Sequence, residues 1–211
     1  MHMNNHRNRT ATEDGFSLLE VIITMAILAV GLLGLAGMQA RALNAEADSF
    51  SRAQAMMLAN EMADRMNANL AEVKTSTTPA TGYNQQNSGG TKVEFGTGYN
   101  NDCITALNNT PALQAGCCAD KSSIAERDLC EWDLALKGIG ETVGTSKVGG
   151  MSAARACVFN TGAASEFQVE VVWQGRDIGT AASGNTCGST AIPVRRSGVT
   201  RVIRVAILDG T

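Results

Sequence analysis

The chain has 211 residues, with 17 Lys and Arg against 20 Asp and Glu, for a formal net charge of −3. That balance excludes the diffuse positive field on which general nucleic-acid binding depends, so no nucleic-acid partner is expected. Hydrophobic residues at 44% are too many for a disordered chain. The length suits one domain with an appendage or two small domains. Both histidines, His2 and His6, lie at the extreme N-terminus. If that segment is removed, histidine-based triads and His-ligated zinc sites drop out.

Residues 1–15 are polar, with Arg7, Arg9, Glu13 and Asp14 among them, and the character then changes abruptly. From Phe16 to Met38 the only ionisable group is Glu20. As a helix this stretch rises about 34 Å, enough to cross a hydrocarbon core about 30 Å thick. Residues 39–70 contain neither Pro nor Gly and are rich in helix formers, so the helix is expected to continue to about residue 70. A secretory signal peptide has a shorter apolar run, although Ala40-Arg41-Ala42 could pose as a cleavage site. A plain single-pass anchor fits the length but leaves Glu20 unexplained. A carboxylate at the bilayer centre costs about 2.5–3.5 kcal/mol on insertion scales, somewhat less near an end. Such a group is kept where it has a partner or can reach water.

The run Gly15-Phe16-Ser17-Leu18-Leu19-Glu20-Val21 resembles the processing and assembly motif of type IV pilins and the related pseudopilins. The resemblance implies that a prepilin peptidase cuts between Gly15 and Phe16 and methylates the new amine of Phe16. Glu20 then becomes the fifth residue of the mature chain and the subunit-assembly glutamate. The physics agrees: cleavage frees a cationic amine in apolar surroundings, and a neighbour's Glu20 can neutralise it. The acidic pair Glu13-Asp14 departs from the usual basic leader, and Arg7 and Arg9 favour a cytoplasmic N-terminus only weakly. Gly31, Gly34 and Gly37 either soften the helix or let neighbouring helices approach closely.

Beyond the helix the composition shifts. Residues 75–98 read as a Thr-, Gly- and Asn-rich loop with at most a short strand at Lys92–Phe95. Leu43, Phe50, Met57, Leu58, Met62 and Met66 form a broad apolar stripe that is expected to lie against a sheet of the same chain. Ser122–Leu136 reads as a short helix with Leu129, Trp132 and Leu136 on one side. In Glu166–Gln174 an apolar face of Phe167, Val169, Val171 and Trp173 alternates with Gln168, Glu170 and Gln174. In Val199–Leu208, Ile203, Val205 and Ile207 alternate with Val202, Arg204, Ala206 and Leu208; Arg155–Phe159 is a third strand. The fold class is α+β: one long N-terminal helix, half transmembrane and half amphipathic, on a small antiparallel sheet. The division is a leader at 1–15, a membrane half at 16–38, a periplasmic helical half at 39–70 and a head at 71–211.

Six cysteines, Cys103, Cys117, Cys118, Cys130, Cys157 and Cys187, follow the membrane segment, which suits an oxidising compartment. Six cysteines permit 15 connectivities. Cys157 with Cys187 is expected, with Cys103–Cys130 as a guess; adjacent Cys117 and Cys118 would bond each other only with strain. No C-x₂-C pair supports a metal, and no cofactor is expected. No P-loop, G-x-S-x-G or GxGxxG is present, and glycine-dense 138–150 reads as a flexible turn. No catalytic residues are expected. Asp128, Glu131 and Asp133 read as a solvated helix face rather than a calcium or acid–base site. Arg195, Arg196, Arg201 and Arg204 read as solvent-facing, or as an interface to an acidic neighbour.

Several short matches extend the resemblance along the chain. They are Asp128-Leu129 with Trp132, Gly149-Gly150-Met151 with Ala154-Arg155-Ala156-Cys157, Val172-Trp173-Gln174-Gly175, Cys187-Gly188 and Arg195-Arg196. Together they are similar to the minor pilin family called type IV pilus modification protein PilV. That resemblance implies a non-catalytic subunit that promotes pilus assembly at or near the tip and supports adhesion and twitching motility. Its implied partners are the prepilin peptidase, other minor pilins, the major pilin, a pilus tip adhesin and the inner membrane. The implied location is the inner membrane of a Gram-negative bacterium with a cytoplasmic N-terminus, and afterwards the pilus surface. A minor pseudopilin of a type II secretion system, and a membrane-anchored periplasmic enzyme or receptor domain, are the alternatives.

Overall fold

A computed structural model describes residues 15–76, 78, 81–86, 90–97, 118–139, 142–143, 146–147, 149–162, 166–175, 186–189, 191–192 and 195–204. Helix α1 spans Leu18–Ala68, and α2 spans Leu70–Thr75. The chain divides into two units between Ala45 and Glu46. In the first unit every described residue is exposed, and α1 passes through Gly31, Gly34 and Gly37 without a break. Beyond the helix's own backbone, a Cβ built at any of these three glycines would meet nothing within 4 Å among the described residues.

The second unit holds the core. Asn69 leaves the helical region at φ −119° and ψ 50°, which separates α1 from α2. Helix α3 (Ile124–Leu136) starts on Ser123, whose Oγ accepts the Glu126 amide at 3.1 Å. Glu72 of α2 adds a second cap, its Oε2 accepting the Ala125 amide of α3 at 3.2 Å. A carboxylate there also meets the positive end of the α3 dipole.

The main sheet has the order β1-β4-β5-β6, with β1 at Phe95–Gly96, β4 at Arg155–Asn160, β5 at Glu166–Gln174 and β6 at Arg196–Arg204. All of its neighbours are antiparallel, and β5 is paired along its whole length, from Glu166 against Arg204 to Gln174 against Arg196. That ladder explains why β6 begins at Arg196 rather than Val199: Ser197 and Gly198 are weak strand formers held in place by pairing with Trp173 and Val172. The expected residues Val205, Ala206, Ile207 and Leu208 lie outside the described residues. A small hairpin, β2 (Thr142–Val143) against β3 (Ser146–Lys147), stands where a flexible turn was expected. The ends of that segment are pressed together: Gly138 sits at φ +63°, and a Cβ on it would lie 2.0 Å from the Gly150 amide nitrogen. No side chain fits there.

On one face of the sheet, Val158, Phe167, Val169, Val171, Trp173 and Ile203 pack with α1 and α3. The expected stripe on α1 holds at Met62 and Met66, which are buried, and at Leu58, which packs against the core, and needs correction elsewhere. Leu43, Phe50 and Met57 are 64%, 64% and 71% exposed, whereas Ala55, Ala59, Met62, Ala63 and Met66 are buried. Spacings of four and three put these five on one face, and small alanines let the helix approach the sheet where large residues would hold it off. Trp132 locks α3 to α1, its Nε1 donating to the Leu58 carbonyl at 2.9 Å.

The other face of β5 is covered as well, which period-two alternation did not anticipate. Cys157, Phe159, Val172, Cys187 and Ile192 form a second apolar cluster there. Beside it Glu170, 1% exposed, accepts Lys92 Nζ at 3.0 Å, and the ammonium lies 3.8 Å from the centre of the Phe159 ring. A buried carboxylate needs such pairing.

Two stability measurements test this packing in the full chain. Met62→Ala should cost about 2–5 kcal/mol in denaturant unfolding, while Met57→Ala should stay within about 0.5 kcal/mol. Equal losses would mean that the buried face has been misplaced. Burial of Glu72 pushes its carboxyl upward, but hydrogen bonds from Asn69, Ser123 and the Ala125 and Ile124 amides outweigh it and hold it below its ordinary 4.5. A lowered folded value gives stability that is present above the unfolded value and lost as pH falls through the folded one. Glu72→Gln should therefore destabilise by about 0.3–1 kcal/mol at neutral pH, and the difference from the parent should vanish in strong acid. A difference independent of pH would exclude the charged cap.

Candidate assembly site

Gly15, Phe16 and Ser17 precede the first turn of α1, where the Ser17 carbonyl accepts the Glu20 and Val21 amides at 3.0 and 3.3 Å. Phe16 is 86% exposed, and Gly15 has no atom within 4 Å of a built Cβ. The Gly15–Phe16 peptide is thus sterically open. Glu20 is exposed on the first turn, one helical turn beyond Ser17, among Leu18, Leu19, Val21, Ile22 and Ile23, all of them exposed apolar residues. Proximity of the carboxylate to the helix N-terminus is electrostatically favourable. Glu13 and Asp14, with Arg7 and Arg9, lie outside the described residues. Helix α1 is long and apolar enough to cross a membrane.

In the second unit Asp128 and Asp133 of α3 do not belong to a solvated face, whereas the Glu131 side chain is 42% exposed. Asp133 is fully buried, accepting the Gly96 amide at 2.7 Å and pairing with Lys137. Arg65 of α1 reaches Asp128 at 3.1 Å and Glu131 at 2.6 Å, and it also holds Glu61 at 2.9 Å. Tyr83 donates its hydroxyl to Asp128. Burial opposes the charge on Arg65, yet the bonds to Glu131, Glu61 and Asp128 raise its guanidinium above its usual range; burial and Asp128 push the Tyr83 phenol up. These groups fix α3 to α1. Among the described residues there is no cluster of three or more His, Cys, Asp or Glu placed to hold a metal.

The hub at Arg65 escaped the sequence reading. Its local half, Glu61 and Arg65 at i,i+4, was legible; its long-range half was not. Asp133 and Lys137 have the same spacing. Of the arginines near the C-terminus, Arg195 and Arg201 are exposed, and Arg204 pairs with Glu166 at 2.9 Å.

Cys157 is bonded to Cys187, tying β4 to the loop before β6. The expected Cys103–Cys130 bond is not formed: Cys130 on α3 is bonded to Cys118, which lies in a short 3₁₀ turn, Cys118–Asp120, just ahead of it. A separation of 12 residues and the cover of Leu134 and Ile139 bring that pair together. Cys103 and Cys117 lie outside the described residues.

Residues 11–36 match the family model described as the prokaryotic N-terminal methylation motif. No curated protein and no solved structure matches the chain. The matched segment contains Gly15, Phe16 and Glu20 and runs into the exposed apolar part of α1. A methylation motif opening a long apolar helix, followed by an antiparallel sheet and, among the described residues, two disulfides, supports a type IV pilin-like protein, and the motif suggests a structural subunit.

Proposed function

We propose that the protein is a minor type IV pilus subunit of the PilV kind. Prepilin peptidase removes residues 1–15 between Gly15 and Phe16 and methylates the Phe16 amine. Residues 16–38 then hold the subunit in the inner membrane, residues 39–70 continue the helix outside it, and residues 71–211 form the head. Other minor pilins, the major pilin and a tip adhesin are its partners in priming a pilus that serves adhesion and twitching. Its final place is the pilus on the surface of a Gram-negative cell.

The observation that carries this reading is Glu20, the one ionisable side chain from Phe16 to Met38, on the first turn of an exposed apolar helix inside a matched methylation motif. In apolar surroundings a lone carboxylate and a lone amine are each costly, and their mutual pairing relieves both. The pair therefore rewards one axial register between subunits. Gly31, Gly34 and Gly37, whose built Cβ atoms meet nothing within 4 Å among the described residues beyond their own helix, leave room for neighbouring helices in that bundle.

Glu20→Ala should still insert and be cut, with intact mass giving a mature chain that begins at methylated Phe16, yet its incorporation into pili should fall at least about tenfold, the equivalent of 1.4 kcal/mol. Retention of residues 1–15 in cells with active peptidase, or normal incorporation of the variant, would reject the reading. Deleting the gene should reduce surface pili and twitching while leaving type II secretion intact; lost secretion with normal piliation would instead make the protein a pseudopilin.

A further inference from the structure

We propose that the outer edge of β6 takes up an extended acidic segment of another protein as an added strand. The main sheet ends in β1 on one side and β6 on the other. β1 is two residues long and offers little to pair with. β6 runs for nine residues without a proline, and each residue from Arg196 to Arg204 has a single partner on β5, so no bulge twists this edge away. Among the described residues no strand lies on its outer side. An edge of this length and regularity is a template for a further strand.

The ladder fixes which groups are on offer. Gly175 donates its amide to the Arg195 carbonyl at 2.7 Å, and on the far side of β5 Thr161 donates to the Glu166 carbonyl at 3.0 Å. In an antiparallel pair, residues that bond across the strands alternate with residues that do not. Ser197, Val199, Arg201 and Ile203 therefore turn their backbone groups to β5. Arg196, Gly198, Thr200, Val202 and Arg204 turn theirs outward. Of these, Gly198, Thr200, Val202 and Arg204 are exposed, so the outward side is open to solvent. Thr200 and Val202 are β-branched, the kind of side chain that suits cross-strand pairing.

Charge selects the occupant. β6 carries Arg196, Arg201 and Arg204 and contains no Asp or Glu. Arg201 is exposed, and its cross-strand partner, Val169, is uncharged. Arg204 meets Glu166 through Nε at 2.9 Å while its side chain stays 82% exposed, and a guanidinium has further N–H donors to give. A second copy of β6 laid along this edge would set arginines beside arginines with no acid between them, and like charges across a strand pair are destabilising. A segment that alternates Glu or Asp with β-branched residues reverses that repulsion and completes the ladder. Assembly through Glu20 uses none of these groups, so the two readings stand or fall separately.

The alternation of the ladder makes the test direct. The probe is a capped peptide as long as β6 that alternates Glu with Val or Thr, added to the ¹⁵N-labelled full chain in detergent. It should bind saturably with a dissociation constant below about 1 mM. At saturation it should slow hydrogen exchange at the Gly198, Thr200 and Val202 amides at least about tenfold, while the Val199 and Arg201 amides, already turned to β5, change little. The same peptide with Lys in place of Glu, and a Glu peptide N-methylated at every residue, should each bind at least about tenfold more weakly. Arg201→Glu should weaken the Glu peptide about threefold or more and strengthen the Lys peptide. The proposal is overturned if the three outward amides already exchange slowly in the free chain, or if the Glu peptide fails to saturate well above ~1 mM. It is overturned equally if the Lys or N-methylated peptide binds as well, if Arg201→Glu leaves both affinities unchanged, or if oligothymidylate protects the same amides in the peptide's place.

Discussion

Residues 15–46 are exposed throughout, although most side chains from Phe16 to Met38 are apolar. Water would penalise that surface by roughly 25 cal/mol for each Å², so lipid or other apolar helices must cover it. This constraint orders everything else about the chain. It makes Glu20 meaningful, because a carboxylate is exceptional only where the surroundings are apolar. It also explains the economy of the segment's own structure. Backbone hydrogen bonds inside a helix satisfy every polar group that lipid cannot, and no side-chain contact within the chain is needed to keep the helix formed.

The second unit solves a different problem, with water on its outer side and a thin core within. Met62 and Met66 fill its centre between three alanines on α1 and the valines of β4 and β5. Polar devices then set the position of α3: the Glu72 and Ser123 caps at its start, Arg65 along its flank, and Asp133 gripping the β1 backbone. The Cys118–Cys130 bond closes a loop onto α3, and Cys157–Cys187 closes another over the back of the sheet. Chain closure of this kind restricts the unfolded state without demanding a larger hydrophobic core.

Sequence periodicity read the elements well and their surroundings less well. The alternation in Glu166–Gln174 identified β5, but it could not reveal that a disulfide-tethered loop covers the Glu170 side. Likewise α1 was legible from composition, while its buried face was legible only at Leu58, Met62 and Met66. Large residues such as Phe50 and Met57 mark hydrophobicity, yet the sheet demanded small ones at 55, 59 and 63. The methylation motif was readable because it is local, one short run that includes Gly15, Phe16 and Glu20. The Arg65 hub joins α1 to Asp128 and Glu131 of α3, far away in sequence, so only its Glu61 half has a local signature.

The two faces of α1 beyond Glu46 therefore answer to different requirements. Ala55, Ala59 and Ala63 are placed for close approach to the sheet, where an extra methyl group would force strain. Phe50, Met56 and Met57 remain exposed although the core could have used their volume. Exchanging the two sets would overpack one face and gain nothing for the fold. The arrangement is consistent with a helix whose inner surface is set by its own head, and whose outer surface is left to be covered from outside the chain.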